Sequence, residues 1–161
     1  MAAEFTDQEI NKLVVEKKLL PEDYQSRTIL KARRGHSERE LDLTGENKSD
    51  FRLILRQSLF NPVDFSVILA YRPPKSNTLF RLRRYNGKSH EHTNQIEGIT
   101  FYDYHIHQAT ERYQDIGARE DAYAEQTNRY SNFQEAVKCM LEDCGFKMPF
   151  NPQANLFGGF E

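Results

Sequence analysis

Read as apolar against polar positions, the chain changes period twice. Near the start the period is helical. Ile10, Leu13 and Val14 share a stripe, Thr6 and Glu9 make a T-x-x-E capping box, and Phe5 and Ile10 occupy the two positions of a hydrophobic staple. The spacing predicts a helix over about residues 7–18, within an N-terminal block of residues 1–20. Pro21 follows, and the polar stretch to residue 38 reads as a connection with a short strand at Thr28 to Leu30. From there the period is two. Leu41 and Leu43 alternate with charged residues, Phe51, Leu53 and Leu55 with Arg52, Ile54 and Arg56, and Phe65, Val67, Leu69 and Tyr71 with Ser66, Ile68, Ala70 and Arg72. Phe80 and Leu82 then alternate with Arg81, Arg83 and Tyr85, and a last run over about 99–107 sets Tyr102, Tyr104 and Ile106 against Phe101, Asp103, His105 and His107. Turn signals separate the runs at TGENKSD, Asn61-Pro62, RPPKSN and Asn86-Gly87.

Strands in succession without intervening helices predict an antiparallel meander over 38–107. A polar, aromatic connection (108–130) leads to a second helix (131–145), whose stripe is Phe133, Ala136, Val137, Met140, Leu141 and Cys144, with Ser131 or Asn132 as cap and Gly145 as stop. The tail, 146–161, carries four Phe among Pro, Gly and Asn. The expectation is one α+β domain over 1–161: an antiparallel sheet of four to six strands with both helices packed on one face.

Composition permits this. A chain of 161 residues can bury about 68–70% of its unfolded surface, and eleven Phe and eight Tyr supply a core without Trp. Cys139 and Cys144 suit neither a redox pair nor a zinc knuckle nor a disulfide framework. The N-terminus has no apolar leader and no window approaches a membrane span, so a cytoplasmic protein with no membrane partner is expected.

Charge adds a feature that the net value of −2 hides. Residues 51–88 hold eight Lys or Arg against Asp64 alone, which leaves the remainder acidic. Projected on strand faces, the apolar set packs on the helices. The other face then carries Arg52, Arg56, Arg72, Arg81, Arg83, Tyr85, Asp103, His105 and His107. The plainer alternative is a solvated face with cross-strand Arg–Asp pairs.

Four of the five histidines, His90, His92, His105 and His107, fall in KSHEHTN and DYHIH. Residues two apart on a strand project to one side roughly 6.5–7 Å apart. Asp103, His105 and His107 are therefore candidate ligands for a divalent metal, with His90 and His92 approaching from the preceding loop. The same four histidines suit metal-free acid–base chemistry on a phosphodiester, with Arg81, Arg83, Arg112 and Tyr85 as phosphate contacts. Ligand binding without turnover is the third possibility. The connection carries Glu111, Arg112, Tyr113, Tyr123, Arg129 and Tyr130; its Tyr and Arg could stack on bases or hold phosphates, or the tyrosines could bury their rings over the sheet edge with Glu111 and Arg112 as surface charges.

The strings RYNGKSHEHTNQIEG, HIHQATERYQ, YAEQTNRY and LEDCGF resemble those of an uncharacterised family of small bacterial and phage-borne proteins. The resemblance spans roughly residues 50–145. It implies a prokaryotic or phage origin and supplies no catalytic residues. Two functions stay open: an enzyme or toxin-like effector acting on RNA or a nucleotide, and a non-catalytic module that docks on a host protein or nucleic acid. There is no P-loop, H-x-[TS] pair, HD dyad or GxSxG motif to decide between them.

Overall fold

The computed structural model describes residues 4–149, so three of the four tail phenylalanines (Phe150, Phe157 and Phe160) lie outside the described residues. In chain order the elements begin with α1 (Asp7–Val15), β1 (Lys18–Leu19), α2 (Tyr24–Arg27), β2 (Lys31–Ala32), β3 (His36–Thr44) and β4 (Asp50–Ser58). There follow β5 (Phe65–Arg72), β6 (Phe80–Asn86), β7 (His92–Asn94), β8 (Ile99–Phe101) and β9 (His105–Gln108). The last are α3 (Glu111–Asp115), β10 (Tyr123–Gln126), α4 (Phe133–Asp143) and β11 (Phe146–Lys147).

Both long helices begin where the sequence places their caps. Thr6 Oγ accepts from Glu9 N while the Glu9 carboxylate accepts from Thr6 N at 2.9 Å, and Asn132 Oδ1 accepts from Glu135 N at 2.8 Å. Gly145 follows α4 with φ +76°, the left-handed conformation that glycine takes at no steric cost. α1 is shorter than expected because the chain leaves it for β1, which pairs in parallel with β11. Lys18 ties these ends together. It is fully buried, and its Nζ lies 2.7–2.9 Å from the carbonyls of Leu13, Val14, Glu16 and Cys144, and so caps the last turn of both helices. Burial pulls the Lys18 ammonium down to about 8, which leaves it charged at neutral pH.

The sheet is antiparallel and has seven strands, in the order β10-β9-β6-β5-β4-β3-β2. The strand count exceeds the expectation at both edges. Lys31–Ala32 folds back on β3, and Tyr123–Gln126, inside the stretch read as a connection, pairs with β9. The run expected over 99–107 is broken. Its first part, β8, forms a separate hairpin with β7, and only His105–Gln108 joins the sheet. Tyr102, expected in the core, is exposed at the break. Leu53, Leu55, Phe65, Val67, Leu69, Phe80, Leu82 and Ile106 do face α1 and α4 in one hydrophobic cluster. No helix among the described residues is long and apolar enough to cross a membrane.

The register between β5 and β6 slips once. Leu69 pairs with Arg83 but Ala70 pairs with Arg81, so Leu82 is the extra residue of a bulge. The phase of β6 inverts beyond it. Tyr85 and Arg83 therefore turn toward the α4 side, and Arg84 and Asn86 toward the other.

Lys18→Met should lower unfolding free energy by about 3 kcal/mol or more, because it strands buried carbonyls. Lys17→Met, one residue away and exposed, should change it little. Denaturant midpoints of the two variants provide the comparison.

Candidate metal centre

Three histidines meet on the side of the sheet away from the helices. Cross-strand pairing puts His107 in one row with Arg84, Ile68 and Ala124, and His105 in the next with Asn86, Ser66 and Gln126. The β7–β8 hairpin folds over this corner. The His92 ring stacks on His105 with centroids 5.5 Å apart and meets His107 edge-on at 4.9 Å, and Phe101 covers His105 at 5.6 Å. As a result His105 is 0% and His107 4% exposed, so neither belongs to a solvated face.

Hydrogen bonding fixes the tautomers. His105 Nδ1 lies 2.7 Å from the Asp103 carbonyl and His107 Nδ1 2.7 Å from the Asp121 carbonyl. A carbonyl only accepts, so both rings carry the proton on Nδ1 and keep the Nε2 lone pair. His92 is set by Asn94, which is buried and binds the Ala124 backbone twice, Nδ2 donating to the carbonyl at 2.8 Å and Oδ1 accepting from N at 2.9 Å. That pair of bonds fixes the amide orientation. Asn94 Oδ1 is then an acceptor, and His92 Nε2, 2.8 Å away, must be a donor that leaves its lone pair on Nδ1.

One ring nitrogen of each of His92, His105 and His107 lies within 4.8 Å of the other two. Among the described residues two buried side-chain polar atoms have no hydrogen-bond partner, His105 Nε2 and Asp121 Oδ1. Burial pulls His105 down to about 4. Burial, with Arg84 nearby, pulls His107 to about 2, so both are neutral at physiological pH.

The other expected site residues are distributed differently. Asp103 contributes only its carbonyl. Its carboxylate accepts from Tyr104 N and Gln126 Nε2, outside the group of candidate ligands. His90 is exposed and stands 5.9 Å, ring to ring, from His105. Arg81 shares the histidine face, but Arg83 and Tyr85 lie on the opposite one because of the bulge. Tyr85 is fully buried and donates to Asp143 Oδ2 at 2.5 Å, an arrangement closed to a phosphate. Arg112 is committed to Glu97 at 2.8 Å and to the Tyr123 ring at 4.4 Å. Tyr113 and Tyr130 bury their rings, as the plainer reading had it.

The basic face is also less basic than its own strands suggest. β3 sets Asp42 and Glu38 opposite Arg52 and Arg56, and Arg52 binds both Asp42 (2.7 Å) and Glu40 (3.3 Å).

Protein-family models, curated proteins and solved structures give no match to this chain.

Three residues of the site went unrecognised in the sequence. Asn94 sits two positions after His92 on β7, a spacing that puts both on one side. Asp121 is fully buried and accepts from Arg84 Nε at 3.1 Å. Arg84 was counted only as charge. The signal that could have placed it is the spacing Phe80, Leu82, Tyr85, two and then three, which marks a one-residue bulge.

In metal-free protein the buried pair should make stability fall with acid. Between pH 6.5 and about 4 the unfolded chain protonates histidines that the folded chain keeps neutral, so it binds more protons and gains on the folded state. By pH 5 each should have removed about 2 kcal/mol of unfolding free energy. Denaturant midpoints at pH 7.5 and pH 5 would show the loss, and His105→Asn with His107→Asn should flatten it.

Proposed function

We propose that this chain is a metalloprotein in which His92, His105 and His107 hold one divalent first-row ion, zinc being well suited to three imidazoles. The observation that carries the reading is the His105 Nε2 lone pair, buried and without a partner, in a group of three imidazole nitrogens within 4.8 Å. An unsatisfied buried polar atom costs about 1–3 kcal/mol, which a bound ion would offset. Tetrahedral coordination with nitrogens about 2.1 Å from zinc needs them roughly 3.4 Å apart, so a bound ion would draw the three rings together from their spacing of up to 4.8 Å.

The surroundings favour the same reading. The His105 and His107 Nδ1 protons go to backbone carbonyls and the His92 Nε2 proton goes to Asn94, an outer shell that orients ligands and raises their basicity. Beside the group lies a cleft of about 350 Å³ lined by His92 and His107. Three protein ligands and one open position form the arrangement of catalytic zinc, which brings a bound water to a pKa of about 7. The wider reading of a basic face for RNA or nucleotide narrows to this cleft, since Arg52 is already paired with acids of β3.

Protein purified without an affinity tag should contain about one equivalent of a divalent metal, set by the single three-histidine group. His105→Ala and His107→Ala should reduce it to background. Asn94→Ala should weaken metal affinity about 10–100-fold through loss of the outer shell, and Asp103→Asn should leave it unchanged. Elemental analysis decides, and a sub-stoichiometric content indifferent to His107→Ala would exclude the centre.

A further inference from the structure

The cleft outside the three histidines has the chemistry of an anion site. Among the described residues no Asp or Glu lines it, whereas Arg84, His90, Thr93 and Gln95 do, each a side chain that carries at least one hydrogen-bond donor. Arg84 is held in place from below. Its Nε donates to Asp121 Oδ2 at 3.1 Å, and among the described residues its two Nη groups make no hydrogen bond to protein. Asp121 itself is fully buried and does not line the cleft, so it neutralises Arg84 without presenting a carboxylate to an incoming ligand.

Charge gives the second argument. Three neutral imidazoles leave a divalent ion its full charge, and the Arg84–Asp121 pair adds none. His105 and His107 are shielded from water beneath Phe101 and the β7–β8 hairpin. A divalent charge in such a place calls for an exogenous anion in the open position. A guanidinium with two free Nη groups beside it suits an anion with at least two oxygens, and a tetrahedral oxyanion can give one oxygen to the ion and another to the fork.

We infer that the open position of this centre takes a phosphate group, one oxygen on the metal and a second on Arg84 Nη. The inference rests on the three-histidine metal reading and adds the ligand class to it. Three sources share that chemistry: inorganic phosphate, a nucleoside monophosphate and the diester backbone of RNA.

Cobalt(II) makes the two readings separable, because its visible absorption reports ligand exchange at the ion. Protein stripped with chelator and reloaded with cobalt should show the bands of a four-coordinate ion, and inorganic phosphate should shift them saturably. A nucleoside monophosphate that shifts them at lower concentration would point to a small ester as the natural ligand. A short RNA without terminal phosphates that does so would point to diesters. The variant Arg84→Gln with Asp121→Asn keeps a neutral hydrogen-bonded pair in place of the ion pair, so that no buried charge is stranded. It should still bind cobalt, and should bind phosphate about tenfold more weakly or worse. Gln95→Ala, on the exposed cleft edge, is the milder second variant and should weaken phosphate without touching cobalt affinity.

If cobalt binds but none of the three phosphate probes alters its spectrum, the phosphate assignment is overturned and the metal centre stands. If the double variant responds like the parent, Arg84 is not the second contact and the inference fails in that part. If cobalt does not bind at all, the metal reading falls first and the phosphate assignment with it.

Discussion

One extra residue in β6, the unpaired Leu82 between the pairs Leu69–Arg83 and Ala70–Arg81, governs what both faces of the sheet contain. Without it, strict alternation would carry Arg84 into the layer of Val67 and Leu69 under α4, away from its partner Asp121. Tyr85 would stand on the outer side. The slip exchanges them. Tyr85 fills the core and meets Asp143 of α4, which also holds Arg129 in a bidentate pair at 2.8 Å. Arg84 reaches the outer corner beside His107, where Asp121 waits on the segment leading to β10. A bulge costs one ladder bond and bends the strand, and proteins use it to re-aim side chains near functional sites. Here it re-aims one arginine and one tyrosine at once.

The parts of the fold that were legible in the sequence are those governed by local rules. A capping box needs only residues three apart, and both long helices start at the residues that carry one or its equivalent. Alternation set the inner face of β4 and β5 correctly because nothing interrupts their pairing. What escaped is non-local. β10 is four residues long, too short for periodicity to distinguish, and it is a strand because β9 offers it an edge. The break at Tyr102 separates β8 from β9 through tertiary demand, since the hairpin must fold back over His105. The acids of β3 that face Arg52 and Arg56 lie in the chain before the basic run, so a charge count confined to residues 51–88 could not see them.

The site itself was half legible, and the reason is chemical. Histidine pairs two apart announce a shared direction, and His105 with His107 do converge. Periodicity cannot say whether a polar row faces water or a second layer. The row of His105 and His107 lies under a hairpin that supplies the third imidazole, and burial changes the role of these two rings from proton carrier to neutral donor of a lone pair. At about 4 and about 2, His105 and His107 are poor general acids at neutral pH and ready-made ligands. The metal-free acid–base reading, which needs histidines near their ordinary range, loses its support for these two residues.

A histidine cluster can also be ordinary packing, and the hydrogen bonds distinguish the two cases. A core imidazole kept for structure alone is stabilised by satisfying both nitrogens, or is replaced without loss by a carbon ring of similar size. His105 satisfies one nitrogen and leaves the other buried and bare, which is the less stable choice of the two. Asn94 deepens the contrast. It engages the Ala124 backbone as a strand residue would, and then uses the remaining capacity of Oδ1 to hold His92. An apolar corner would need none of this. Strict orientation of three rings, each with its proton directed away to an acceptor, makes physical sense where three lone pairs must be presented to one point, and the same geometry leaves Arg84 as the charge beside whatever completes the set.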